Sequence, residues 1–403
     1  MFENVRADFA AHRRLGRPGL LGGARVLLGL LPASLRKPRS VLYKIVFKLV
    51  QVLTGLELLR EAVVKPRPAL DETAVKQGAS SIAYGVVAIG RNEGERLKRC
   101  LQSAAGASTL VYVDSGSNDG SVAWARARGI DVVELDVARG FTAARARNAG
   151  FRRLMELHLD VAFVQLVDGD CELASAWPAA ALEFLRLHPK ACAVFGRLRE
   201  RHPERSIYNR ICDAEWDVPL GEARACGGNV MMRTAAFASV GGFREDFIAG
   251  EEPELCARLR VAAWSIWRID GEMALHDAAI TTFTQWWRRN VRSGYAFALG
   301  RHVHGAAPER MWVWESRRAW IWGIWLPLAC AAAVAYFGAP GLALLLVYPL
   351  QLLRRIPRQP GSRRDRLAFA SFELLGRFAE AAGQLKFTMH RLFSGRSQII
   401  EYK

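Results

Sequence analysis

One pattern recurs three times between residues 82 and 158: an apolar run of strand length, then a stretch with helical spacing. Residues 82–89 lead into 95–104, 110–113 into 121–128, and 132–135 into 142–158. Strands joined through helical crossovers run parallel, so an α/β fold is expected, with a mainly parallel sheet and helices on both faces. The next run, 161–167, is almost wholly apolar, as a strand covered on both faces must be, and it stops at Asp168-Gly169-Asp170. Ligands of open α/β sheets lie at the carboxyl ends of strands, which directs attention to that tripeptide. A chain of 403 residues, 51% hydrophobic, has the material for such a core, and this excludes a disordered or small disulfide-stapled protein.

Charge separates the middle of the chain from its ends. The net +17 divides into +8 over residues 1–80 and +9 over 301–403, leaving 81–300 neutral. A nucleic-acid binder carries its basic footprint on the recognition domain, so nucleic acid is not an expected partner. Basic flanks rich in Leu, Phe and Trp suit anionic lipid headgroups instead. Three regions follow: a basic amphipathic helical region over 1–80, ending in a stretch with Lys65-Pro66-Arg67-Pro68; an α/β domain over 81–300; and a membrane-associated region over 301–403.

The last region contains 35 consecutive residues without a charge, 319–353. As one helix they would extend roughly 52 Å against a hydrocarbon core of about 30 Å, and Pro340-Gly341 divides them. Arg317 and Arg318 precede the run, and Arg354, Arg355 and Arg358 follow it. Both ends should then face the cytoplasm, as in a hairpin, two short spans or a re-entrant form; a buried helical hairpin of a soluble protein is the alternative. A further amphipathic helix is expected at about 365–395. The seven cysteines form no CxxC pair or Cys/His cluster, and are expected to be reduced, mostly buried thiols of a cytosolic compartment.

Several residues have the chemistry of a site. Asp168 and Asp170 stand one residue apart at a strand end, so both carboxylates can turn to one side and offer oxygen ligands to a divalent cation; Asp and Gly also make ordinary turns. The strand ending at Val113 opens into Asp114-Ser115-Gly116-Ser117-Asn118-Asp119-Gly120. There Asp114 and Asp119 can accept hydrogen bonds from a base or ribose, or Asp119 can cap the next helix. Arg145, Arg147 and Asn148 lie early on the helix before the Asp-Gly-Asp strand and offer guanidinium groups to a diphosphate, unless they form a solvated basic face.

Gly227-Gly228-Asn229 ahead of an apolar strand suggests either close backbone approach to a ligand or a plain bulge. In Glu251-Glu252-Pro253-Glu254-Leu255, proline at the first helical position puts Glu252 at about the N-cap. There the helix dipole keeps a carboxylate ionised, as a general base or simply as a cap. His276 can complete a metal shell, contact phosphate or serve a structural hydrogen bond. Trp286 and Trp287 can wall a sugar site or lie buried.

Taken in order, these residues resemble the family 2 glycosyltransferases of GT-A fold. The resemblance rests on Arg91-Asn92-Glu93, Cys100-Leu101 with Ser103, Val113-Asp114-Ser115 to Asp119-Gly120, and Ala146-Arg147-Asn148 to Gly150. It continues through Asp168-Gly169-Asp170, Gly228-Asn229, Gly241-Gly242-Phe243 and Glu251-Glu252-Pro253-Glu254-Leu255 with Arg258, covering about residues 82–300. It implies a Rossmann-like GT-A domain that binds a nucleotide-sugar donor. The expected donor residues are Asn92, Glu93, Asp114, Asp119, Arg147 and Asp168, and the expected acceptor residues are Gly228, Asn229, Trp287 and Arg288. Asp168 and Asp170 take the place of the family's Asp-x-Asp motif, which holds Mg²⁺ or Mn²⁺ on the donor diphosphate, and His276 is the third expected metal residue.

Glu252 stands where the family has its catalytic Asp, one methylene longer, and either Glu252 or Glu251 is the base. Gln285 and Arg288 match the Gln-x-x-Arg-Trp pattern of processive members, but Arg289 replaces the tryptophan, which argues against a processive polymer synthase. The expected function is metal-dependent sugar transfer from a nucleotide sugar to a hydroxyl or phosphate of a lipid-linked or cell-envelope glycan acceptor. It is expected at the cytoplasmic face of the cell inner membrane, with membrane lipids as further partners. Inversion at the anomeric carbon is implied by the family alone. Two other classes compete. A catalytically silent GT-A-like scaffold of envelope assembly should have lost its aspartates or its base. A sugar nucleotidyltransferase should show a Gly-rich basic phosphate loop where Ile89-Gly90-Arg91-Asn92 stands.

Overall fold

The computed structural model describes residues 83–136, 138, 140 and 142–393. The amphipathic region expected over 1–80 lies outside the described residues. The elements follow the sequence pattern: β1 (Gly85–Gly90), α1 (Glu95–Ser103), β2 (Thr109–Asp114), α2 (Ser121–Arg126), β3 (Asp131–Glu134), α3 (Ala143–Leu157) and β4 (Phe163–Asp168). Then come β5 (Cys171–Leu173), α4 (Trp177–Leu187), β6 (Ala191–Glu200), α5 (Ile207–Glu215), β7 (Gly221–Ala223), β8 (Val230–Arg233), α6 (Thr234–Ser239), α7 (Glu251–Val261), β9 (Ser265–His276) and α8 (Phe283–His304).

The strands form one sheet in the order β3-β2-β1-β4-β8-β6-β9-β5, with β7 beside β9. The β3-β2-β1-β4 half is parallel, as the crossover helices require. Beyond β4 the sheet is mixed. β8 enters antiparallel between β4 and β6, while β5 and β7 pair antiparallel with β9. Four-residue β8 is too short for its sequence to declare a direction. The register brings the carboxyl ends level, with Gly90 opposite Asp114 and Ile89 opposite Asp168. Val86, Val87, Val111, Val113, Val164 and Leu166 are buried at the centre. α3 packs against this layer through Gly150, where a Cβ would stand 2.3 Å from Val87 Cγ1 and 2.8 Å from Val113 Cγ2. All seven cysteines are free and buried, in keeping with reduced thiols.

The C-terminal elements are α9 (Val313–Trp320), a π-helical turn (Ile321–Trp325), α10 (Leu326–Phe337), a 3-10 stretch (Ala339–Leu346), α11 (Val347–Arg355) and α12 (Arg363–Phe393). Among the described residues, one compact unit takes in 83–323 and 375–393, and a second takes in 324–374. Close packing within the first of these units continues past residue 300. The Trp312 ring covers Gly250 and Gly300, where a Cβ would lie 2.3 and 2.4 Å from it. The second half of α12 crosses α8 backbone to backbone: a Cβ on Gly294 would stand 2.0 Å from the Glu380 carbonyl oxygen, and one on Gly383 2.0 Å from that of Val291.

In the second unit, α10 and the 3-10 stretch touch at Gly341, where a Cβ would stand 2.4 Å from the Ala333 carbonyl. Leu328, Tyr336, Leu342, Leu345 and Leu353 are exposed there. Among the described residues, Val313–Phe337 is the one helix long and apolar enough to cross a membrane, with mean hydropathy 1.6 and 22% of its most apolar stretch buried. The return arm is a 3-10 stretch followed by a nine-residue helix. It is too short for a regular span.

Candidate active site

β4 delivers Asp168 to the sheet edge, and the chain turns at once over Gly169. The Gly169 N–H donates to the Ile89 carbonyl at 2.7 Å, and a Cβ there would sit 3.0 Å from that oxygen. Asp170 is then carried inward, its Oδ2 3.1 Å from His276 Nε2. Antiparallel pairing of β5 with β9 sets Cys171 opposite His276. One donor atom from each of Asp170, Cys171 and His276 lies within 4.8 Å of the others.

Two of the three expected metal residues therefore meet, with Cys171 as an addition that sequence reasoning missed, although it adjoins Asp170. Asp168, the third, turns its Oδ1 to Arg147. The carboxylate and the imidazole fit a divalent cation such as Mg²⁺ or Mn²⁺ in donor type. The buried His276 Nδ1 has no hydrogen-bond partner among the described residues, and the ring lies against Trp216 with centroids 4.6 Å apart.

Arg147 organises the next layer. Its Nη2 is 2.8 Å from Asp168 Oδ1, and its Nη1 is 3.0 Å from both Glu251 Oε1 and Glu252 Oε1. Sequence reasoning offered this side chain to a donor diphosphate; the structure buries it at 2% exposure beneath three carboxylates. Burial disfavours its charge, but Asp168, Glu252 and Glu251 outweigh that and hold its pKa well above the ordinary value. The close approach expected at Gly227-Gly228 is explained in the same way. A Cβ on Gly228 would stand 2.0 Å from Arg147 Nη2 and 2.9 Å from Asp168 Oδ2, so this space belongs to the protein's own guanidinium. Asn229 accepts the Asp168 N–H at 3.1 Å through Oδ1 and so fixes the end of β4.

α7 begins at Glu251, with Gly250 as its N-cap at φ 78°. Glu252 is thus inside the first turn rather than at the cap expected for it. Pro253 is tolerated one position later because first-turn N–H groups have no helical acceptor to lose. Burial, with the neighbouring Glu251 carboxylate adding and Arg147 opposing, pushes the Glu252 pKa up to about 7. Glu252 retains 17% side-chain exposure against 5% for Glu251. A cavity of roughly 240 Å³ opens beside it, its wall including Gly250, Arg289, Arg292, Phe297 and Trp312.

Asn92, Glu93, Asp114 and Asp119 collect along one rim. Asn92, at φ 55°, donates its N–H to Ser117 Oγ at 2.9 Å and accepts the Asn118 N–H at 2.8 Å. Buried Asp114 accepts from the N–H groups of Gly116 and Ser117 at 2.9 and 2.8 Å and from the Tyr112 hydroxyl at 2.6 Å. Asp119 accepts from the N–H groups of Gly94 and Ser121, while Gly120 is the N-cap of α2. Glu93 pairs with Arg96 at 2.6 Å.

On α8, Trp287 packs near Phe283 with centroids 5.8 Å apart, and Arg288 is exposed. Neither is part of the wall described beside Glu252, which takes Arg289 and Arg292 instead. Their i, i+3 spacing on one helix was the available signal. Gln285 is used as a capping-box partner of Thr282.

An α/β sheet ending in an Asp-x-Asp pair, with an acidic helix start held to it by a buried arginine, has the arrangement of a GT-A glycosyltransferase. Residues 86–241 match the family model described as glycosyl transferase family 2. A mannosyltransferase from Pyrobaculum calidifontis, solved in complex with GDP-Man and Mn²⁺, is 18% identical over 83% of this chain and 94% of that one, at TM-score 0.53. This likeness establishes the fold. Glucosyl-3-phosphoglycerate synthase from Mycobacterium tuberculosis, in complex with Mn²⁺, UDP and glucosyl-3-phosphoglycerate, is 16% identical over 61% of this chain and 88% of that one, at TM-score 0.40. Among curated proteins, none matches the chain.

Proposed function

We propose that the chain moves a sugar from a nucleotide-sugar donor to a hydroxyl or phosphate of a lipid-linked or envelope-glycan acceptor, with inversion, at the cytoplasmic face of the inner membrane. The observation that carries the reading is the Asp168–Arg147–Glu252 chain, which ties the Asp-x-Asp strand end to an acidic helix start beside a cavity. The rim of Asn92, Glu93, Asp114 and Asp119 receives the nucleoside. Asp170 and His276, with Asp168 adjoining, would hold Mg²⁺ or Mn²⁺, whose charge offsets that growing on the leaving diphosphate. Glu252 takes the acceptor proton; a pKa near 7 suits a base working at neutral pH. Arg147 keeps Glu252 and Glu251 oriented and limits their mutual repulsion.

The membrane setting is supported by the exposed leucines of the second unit and by α12, whose side chains Leu367, Leu375, Leu385, Met389 and Leu392 face outward. A scaffold without turnover is disfavoured by the presence of both aspartates and of Glu252. The test is nucleotide release and labelled-lipid formation over a panel of nucleotide sugars, with membrane lipid extract, with and without Mn²⁺. Metal-dependent release from one donor is expected, reduced at least 100-fold in Asp170→Ala and in Glu252→Gln. If no donor is consumed and no nucleotide binds in a metal-dependent way by calorimetry, the enzyme reading fails.

A further inference from the structure

The cavity beside Glu252 carries more charge than a neutral sugar or alcohol needs. One face of α8, at 289, 292, 293, 296 and 297, lines it, a spacing that brings two guanidinium groups and the Phe297 ring to the same side. Trp312 closes the wall, its ring set over Gly250 at the start of α7. The two carboxylates in the wall, Glu251 and Glu252, already share Arg147. The α8 arginines are held differently. Arg289 pairs at 2.8 Å with Glu215, whose side chain is 48% exposed, and Arg292 Nη2 donates to the Ile248 carbonyl at 2.9 Å. An ion pair with so exposed a partner contributes little, about 0–1 kcal/mol, and exchanges readily for a better anion. Guanidinium forks favour planar or tetrahedral oxyanions over hydroxyl groups.

Resting on the glycosyltransferase reading above, we propose that Arg289 and Arg292 bind a phosphate on the acceptor, so that the enzyme selects a phosphorylated acceptor and presents its nucleophilic oxygen to Glu252. Roughly 240 Å³ accommodates a phosphate with a few attached carbons, and Phe297 and Trp312 contact the apolar part that follows. The phosphate could belong to a polyprenyl phosphate or to a soluble phosphorylated alcohol. The chemistry at the arginines is the same.

Matched acceptors separate the cases: a polyprenyl phosphate and its polyprenol in detergent micelles, and glycerol 1-phosphate and glycerol in solution. Nucleotide release from the preferred donor is measured in the same samples. Product is expected on phosphorylated members only, and which of the two accepts identifies the source. Arg289→Gln and Arg292→Gln should each raise the acceptor KM at least tenfold, with the donor KM within twofold of wild type. Glu215→Gln distinguishes binding from support. If Arg289 acts on the acceptor, releasing it leaves the KM unchanged or lower; if the Arg289–Glu215 pair is only structural, Glu215→Gln raises the KM as Arg289→Gln does. Transfer to the neutral members, unchanged KM in the arginine variants, or intact nucleotide release with no product on any phosphorylated member overturns the proposal and leaves the glycosyltransferase reading in place. Absence of nucleotide release under every condition overturns that reading itself.

Discussion

In the proposed reaction, Glu252 is the residue at which electrostatics becomes rate. Its carboxyl is raised to about 7 by burial first and by Glu251 second, with Arg147 opposing. A base must be ionised to act, so transfer should rise with pH through about 7 and level above it. Glu251→Gln removes a like charge, which lowers the Glu252 pKa, and the rising limb should move to lower pH. A kcat/KM profile checks this, and an unmoved or upward-shifted limb would refute the coupling. At this scale Asp168 and Asp170 were legible because a strand end advertises itself in sequence. The pairing of Arg147 is not legible in sequence, since its partners Asp168 and Glu251 stand 21 and 104 residues away and meet it only through the fold. Glu252 lies inside the helix rather than at the expected cap because Gly250 accepts a left-handed conformation that ends the loop two residues early.

Among the elements, the β-α alternation from β1 to β4 was readable because apolar runs and helical spacing are local properties. The antiparallel entry of β8 was not, since direction in a four-residue strand is decided by its neighbours. The crossing of α8 and α12 was equally hidden. It depends on Gly294 and Gly383 meeting the backbone of the other helix, and isolated glycines inside helical patterns do not announce a partner. Gly294→Leu places a side chain where the Glu380 carbonyl stands, and should cost about 2–4 kcal/mol. Thermal denaturation should show a fall of several degrees, against a small change for a leucine at exposed Thr284 on the same helix. Equal melting temperatures for the two variants would disprove the close crossing.

For the whole molecule, the expectation of basic, apolar ends around a neutral α/β centre rests on charge distribution, which sequence gives directly. If the exposed leucines of the second unit meet lipid, Leu342→Asp with Leu345→Asp should abolish flotation of the full chain with anionic vesicles while leaving its melting temperature unchanged. Undiminished flotation of the double variant would remove these positions from the lipid contact. A different consequence follows from the single guanidinium shared by Asp168, Glu251 and Glu252. Removing Arg147 leaves three carboxylates without their shared counter-charge, whereas removing one carboxylate eases the repulsion on the others, so effects at these four positions should be strongly non-additive. Descent with modification through this centre then requires paired exchanges, and a lineage changing its sugar or its acceptor finds its open routes in the rim and the cavity wall.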